Sequence, residues 1–250
     1  MKRIVAAAAA LALLAGCSSS GGGPKGGKPS GAITVDAAAS LTEAFTALKA
    51  GFEKAHPGTS VTLNFGASSE LATQIQQGKP ADVFASASAK NMTQLGNEAL
   101  TPADFAKNRA EIAVPPANPG KIGSVADLGK AGLKVALCDP AVPCGALARQ
   151  VLANAKVDVT PSASLPDVKS TLAAVESGEV DAGVVYVTDV RAAGAKVKGI
   201  EIPDSVNAST TYPIATLKDA KNPSLAKAWV EYVRSAEGQK VLQADGFALP

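Results

Sequence analysis

The sequence predicts an α/β protein of two lobes, each a mostly parallel sheet flanked by helices. Three observations carry this. Short apolar runs alternate with small-residue turns and segments of helical period, as in sheets covered on both faces. The strand in "DAGVVYV" is continuously apolar and not alternating, which marks burial on both sides. Two extended runs, 110–114 and "TYPIATL", interrupt the alternation and read as crossings from one lobe to the other and back. The expected division is 32–112 with 213–250 for the first lobe and 113–212 for the second.

The elements follow in order. Ile33 to Asp36 is a strand that runs through three alanines into Ser40 and a helix with Leu41, Phe45, Leu48 and Phe52 on one face. His56, Pro57 and Gly58 end that helix. Val61 to Phe65 is the next strand, then "GASS" and a helix with Leu71 and Ile75 that stops at Gly78 and Pro80. Asp82 to Ala85 is the third strand, followed by a helix start in "SASAKNMTQL". Past the first crossing come the strand "KVALCDP" and the helix "GALARQVLANA", then a helix in "PDVKSTLAAVESG" and the buried strand "DAGVVYV". After the second crossing, "NPSLAKAWVEYVRSAEGQKVLQADGF" reads as two helices parted by Ser235.

The amino terminus stands outside this fold. Lys2 and Arg3 precede an apolar run from Ile4 to Leu14, too short to span a bilayer as a helix, and "LLAGC" places small residues before Cys17. Residues 1–16 are expected to be an export signal whose ending resembles that of bacterial lipoproteins, with Cys17 the lipidated first residue of the mature chain. More than one acyl chain there would anchor the protein stably to the outer face of the cytoplasmic membrane. The segment 17–31 is Ser-, Gly- and Pro-rich and reads as a tether.

The charge balance excludes one class of partner. Net charge is +2 and the basic residues are scattered, so the footprint of a nucleic-acid-binding protein is absent. Besides Cys17 only Cys138 and Cys144 remain, in "LCDPAVPCG". In an exported chain so close a pair is expected to be a disulfide, the alternative being two free thiols or a reactive one. No histidine or further cysteine lies near enough in sequence to complete a metal site.

The chemistry sits where strands end. Ser40 follows the first strand, Ser68 and Ser69 the second, Cys144 and Gly145 the strand near Cys138, and Val168 opens a helix after Pro166 and Asp167. Helix starts present unpaired N–H groups and a positive dipole end, so several of them converging can hold an anion without a cationic side chain. Each has a structural alternative. Ser40 with Glu43 fits a capping box, and Tyr186 in "GVVYVTD" fits a core tyrosine bonded to a carbonyl. Asp36, Asp82 and Asp189 read as braces of turns, because a bare carboxylate would repel a bound anion. The single histidine, His56, ends a helix, and no serine or cysteine has an evident base partner, so an enzyme is not expected.

The blocks "AAASLTEAF", "FGASSELATQIQQGKPADVFASA", "DPAVPCGALA", "GEVDAGVVYVTD" and "SAEGQKVL" together closely resemble the molybdate-binding proteins of bacterial ABC importers, over the chain from about Ala32 to its end. The resemblance implies a periplasmic-binding-protein fold of type II, monomeric, that closes over molybdate or tungstate and delivers it to a membrane permease. It implies no cofactor and no direct metal ligand, the metal arriving as its oxyanion. Carried over block by block, the contacts fall on the hydroxyls of Ser40, Ser68 and Tyr186 and the backbone N–H groups of Cys144 and Val168. This shifts Ser40, Ser68 and Tyr186 from structural roles toward ligand contact. Two positions depart from the family pattern: Asp36 stands where an apolar or aromatic residue is common, and Cys144 where a small alanine is common. Another oxyanion, such as sulfate or a small carboxylate, is the alternative ligand, and an enzyme on the same two-lobed fold the alternative class.

Overall fold

A computed structural model describes residues 30–250; the expected signal, Cys17 and nearly all of the tether lie outside them. Nine strands and eight helices alternate in two sheets. The first sheet has the order β2-β1-β3-β9-β4, built from β1 (Gly31–Ala38), β2 (Thr59–Gly66), β3 (Val83–Ala85), β9 (Ser209–Leu217) and the first part of β4 (Ala99–Val114). The second contains the end of β4 with β7 (Ala182–Tyr186), β5 (Val135–Cys138) and β6 (Ala163–Leu165), while β8 (Lys198–Ile200) pairs along the end of β4.

Pairs β1/β2, β1/β3, β5/β6 and β5/β7 are parallel, as the strand–helix alternation requires. The centre is not. β4 and β9 run antiparallel to each other, β9 to β3 and β4 to β7, so the middle of the molecule is an antiparallel ribbon. The extended runs read as crossings are the inner parts of these two long strands. β4 pairs with β9 as far as Arg109↔Ser209, and from Ala110 it pairs with β7. The change of partner therefore falls a few residues before the expected junctions at 112 and 212.

The helices form where the apolar spacing demands. α1 (Thr42–Ala55) buries Phe45, Leu48 and Phe52 against the first sheet. Phe45 and Phe52 both meet the edge of Trp229 from α7 (Pro223–Arg234), with centroids 5.8 and 5.3 Å apart. The core of the second half is aliphatic, with Val151 of α4 (Pro143–Ala155) and Val175 of α5 (Val168–Glu176) fully buried against β5 and β7. α2 (Ser68–Gln76) and α3 (Ala89–Gln94) cover Phe84 on the other face of the first sheet. α8 (Ala236–Ala244) starts on Ser235, whose hydroxyl accepts from the Gly238 N–H at 3.2 Å, as the break between the last two helices predicts. α6 (Val187–Ala193) begins directly where β7 ends, at residues the sequence reading leaves in the strand.

The turn between β5 and α4 is held twice. The sulfurs of Cys138 and Cys144 lie at bonding distance, 2.07 Å, with Cα atoms 5.7 Å apart. A side chain on Gly145 would collide with the Asp139 carbonyl, so only glycine lets α4 start this close to the strand end. Closing so short a loop raises stability by about 2.4 kcal/mol in the chain-entropy model. Reduction, or Cys138→Ser, is expected to lower the unfolding free energy by about that amount in urea titrations. Unreduced protein should also show no free thiol at these two positions on alkylation and mass spectrometry.

Candidate functional site

Six strand ends converge on one cavity between the two sheets, lined by Ser40, Ser68, Ala87, Cys144, Val168 and Tyr186 together with small residues such as Ala38, Ala39, Gly66 and Ala67. All five residues singled out from the sequence therefore share one site. No lysine, arginine or histidine lines it. The space open to oxygen-sized centres is about 20 Å³, equivalent to a sphere of radius about 1.7 Å. That accommodates the oxygens of one small tetrahedral ion.

Ser40 sits in a 3-10 turn, Ala39–Leu41, between β1 and α1. It is not the cap of α1: the helix begins at Thr42 with Leu41 before it and no side-chain cap. The Ser40 hydroxyl instead lies 2.8 Å from that of Tyr212 on β9. Glu43 does not turn back to Ser40 as a capping box requires but reaches Lys169 of α5 at 2.7 Å. Ser68 is the first residue of α2 rather than its cap, and its oxygen accepts from the Ala87 N–H at 2.9 Å. Cys144 is the second residue of α4, after Pro143, and Val168 the first of α5, after Asp167. The N–H groups of both belong to the first helical turn and have no intrahelical acceptor. Asp167 also borders the cavity, with one carboxylate oxygen accepting from the Ser170 N–H at 2.8 Å.

Tyr186 is 1 % exposed, and its hydroxyl has no hydrogen-bond partner in the protein. A phenol stranded in this way costs about 1–3 kcal/mol, a cost that a ligand accepting its proton would remove. Burial first, then neighbouring Tyr212 and Asp189, push its pKa well above the ordinary value, so the hydroxyl keeps its proton and acts as a donor. The other buried carboxylates are braces. Asp82 accepts from the N–H groups of Thr34 and Asn222, and Asp36 accepts from Asn64 Nδ2 at 2.9 Å and faces Lys79 at 3.2 Å.

A second polar chain ties the site to both halves. The Tyr186 N–H donates to Asp189 Oδ2 at 3.1 Å, Asp189 Oδ1 faces Lys169 at 3.1 Å, and Lys169 pairs with Glu43. Burial would lower the Lys169 pKa, but Asp189 and then Glu43 outweigh it and raise it. For Asp189 burial dominates and lifts the carboxyl from 3.8 to about 6, against the pull of Lys169. Tyr212, Asn108, Ala87 and Lys169 were not legible as site residues. The first two carry a weak signal, a tyrosine and an asparagine within crossing strands, and Ala87 acts only through its backbone.

Comparison with known proteins shows the family. Residues 33–248 match the family of bacterial extracellular solute-binding proteins, and the chain belongs to that family: it is a binding protein and not an enzyme. It is 40% identical to the molybdate-binding protein ModA of Mycobacterium tuberculosis over 231 residues, covering 91% of this chain and 88% of that one. It is 32% identical to the molybdate-binding protein ModA of Escherichia coli, covering 88% and 90%. The periplasmic molybdate-binding protein of Azotobacter vinelandii shares the two-lobed fold, with a TM-score of 0.75 at 21% identity over 87% of this chain and 99% of that one.

Asp189 yields a test of the buried chain. A carboxyl whose folded pKa is raised contributes stability that is present below pH 3.8 and lost as pH rises through about 6. Relative to Asp189→Asn, the wild type should therefore lose about 3 kcal/mol between pH 4 and 7. Urea unfolding of both proteins across that range checks it; parallel curves would mean that Asp189 ionises normally.

Proposed function

We propose that the protein captures molybdate, and also tungstate, outside the cytoplasm and hands it to the membrane permease of an ABC importer. The observation that carries this reading is the cavity itself: uncharged donors from both halves meet around a space for one tetrahedral ion, with a buried tyrosine hydroxyl left unpartnered toward it. The two relatives named for molybdate binding, each matching along most of the chain, support the choice of ion.

In this mechanism Ser40 and Ser68 donate from the first half, and the Cys144 and Val168 N–H groups with the Tyr186 hydroxyl donate from the second. Each hydrogen bond to a charged acceptor contributes about 1.5–3 kcal/mol, so five suffice for tight capture. An anion bridging the halves favours the closed arrangement through contacts that only closure completes, and the permease reads that closed shape. Hydrogen phosphate brings a proton that donors alone cannot accept, while sulfate lacks that proton but is smaller and fits loosely. Lipidation of Cys17, followed by the Ser-, Gly- and Pro-rich segment to residue 31, would hold the binding body at the membrane surface within reach of the permease.

Calorimetry with molybdate, tungstate, sulfate and phosphate is expected to give one tightly bound molybdate or tungstate per chain, weak sulfate and no phosphate; phosphate as tight as molybdate overturns the assignment. Tyr186→Phe and Ser68→Ala should each weaken molybdate about 10- to 100-fold. Without ligand, Tyr186→Phe, which removes the unpartnered hydroxyl, should not lower the thermal midpoint, whereas Ser68→Ala, which leaves the Ala87 N–H without its acceptor, should lower it by a few degrees. For the anchor, Cys17→Ala is expected to move the protein from the detergent phase to the aqueous phase on Triton X-114 partition of cells expressing it.

A further inference from the structure

Behind Ser40 lies a buried polar chain that touches no ligand position yet determines what Ser40 can do. Asn108 on β4 is 4 % exposed. Its carbonyl oxygen accepts from the Arg109 N–H at 3.0 Å, and its amide nitrogen points to Thr188 Oγ1 at 2.8 Å and to the Tyr212 hydroxyl at 3.5 Å. The Arg109 N–H fixes this orientation, because the flipped amide would set two donors against each other. An amide nitrogen only donates, so the Tyr212 oxygen receives from Asn108 and cannot send its own proton there. The Tyr186 hydroxyl also neighbours that of Tyr212 but makes no hydrogen bond of good geometry with it, which leaves Ser40 Oγ, at 2.8 Å, as the partner for the Tyr212 proton.

We propose that Asn108 and Tyr212 fix the direction of the Ser40 proton and are thereby specificity-determining residues of the site. Tyr212 donates to Ser40, one lone pair of Ser40 is consumed from the protein side, and its proton is turned into the cavity. Ser68 is set the same way, its oxygen already accepting from the Ala87 N–H. Both serines then turn their proton to the ligand, each with one of its two lone pairs already used from the protein side. The Tyr212 phenol holds its own proton firmly, since burial first of all pushes its pKa far above the ordinary value. This inference rests on the reading of the cavity as a site for a fully deprotonated oxyanion and adds what enforces the choice: a hydroxyl is ambivalent by nature, and a serine without a fixed partner would rotate to accept from hydrogen phosphate.

The test is a selectivity ratio rather than an affinity. Tyr212→Phe removes one oxygen from a ring packed edge-on against Phe105 and Phe247 and frees a Ser40 lone pair. Asn108→Asp goes further: the carboxylate accepts the Tyr212 proton, Tyr212 then accepts from Ser40, and Ser40 presents a lone pair to the cavity. Calorimetry of the full chain with sodium molybdate, sodium sulfate and inorganic phosphate at pH 7 reads both variants. The preference for molybdate over phosphate is expected to fall at least tenfold in Tyr212→Phe and further in Asn108→Asp. The preference for molybdate over sulfate, both unprotonated, should change less than threefold in Tyr212→Phe. Variants that bind molybdate with the wild-type preference over phosphate overturn the proposal while leaving the oxyanion reading intact. Wild-type protein that binds none of the three anions sinks the oxyanion reading and this inference with it. Either variant alone, if folded by circular dichroism, decides the question.

Discussion

The antiparallel pairing of β4 with β9 is the constraint on which the rest of the molecule is built. β4 runs from the first sheet into the second and β9 brings the chain back along the first, so their register sets where the strand ends of the two sheets face one another. Tyr212 pairs with Ala106, and Asn108 with Thr210, on adjoining strands of this ribbon. The backbone that joins the halves is thus also the backbone that carries the polar chain behind Ser40. Loss of a side chain here would act on the site through geometry and hydrogen-bond direction together, without any contact to the ion.

Electrostatics explains why the cavity can do without a cation. A guanidinium or ammonium would bind any anion of the right size, protonated or not, whereas N–H and O–H dipoles held at helix starts discriminate by direction. The nearby cationic side chains are held away from the cavity by carboxylates, and the one carboxylate that borders it, Asp167, accepts from the Ser170 N–H. Lys169 lies next to Val168 in sequence but turns away to Asp189 and Glu43, and Lys79 is spent on Asp36. The pair from Lys169 to Glu43 joins α5 to α1, and thus one half to the other. Glu43 is exposed, so this pair is worth at most about 1 kcal/mol and can bias closure without locking it.

Much of this was legible in the sequence because it rests on local rules. The spacing of Leu41, Phe45, Leu48 and Phe52 marked a helix on a sheet, the small residues before Ser68 marked a strand-to-helix turn, and Pro166 with Asp167 marked the helix start at Val168. Where reading failed, a tertiary contact outweighed a local preference. Ser40 and Glu43 have capping-box spacing, yet Ser40 is drawn to Tyr212, 172 positions away, and Glu43 to Lys169. The parallel character of the sheets was readable from the alternation, but the antiparallel centre was not, since crossing strands carry no periodicity of their own that distinguishes direction. Tyr212 looked like one more apolar position of an extended run. Only the fold reveals that its hydroxyl meets a serine from the first strand end. β6 and β8, three residues each, are too short for any pattern to emerge.

The turn that carries Cys144 shows how such a site gains affinity without more contacts. A backbone N–H binds well only if it is already aimed, since ordering a loop at the moment of binding consumes much of the gain. Here the aim is set beforehand by two independent restraints, the sulfurs of Cys138 and Cys144 at bonding distance and the absence of a side chain on Gly145, which lets α4 rest on the Asp139 carbonyl. Tyr186 is set from the other side, its N–H held by Asp189 and its ring buried. Among the described residues, the Tyr186 hydroxyl is the one buried polar side-chain atom lining the cavity without a protein partner, so restraint of its ring and N–H fixes the direction in which that hydroxyl can act.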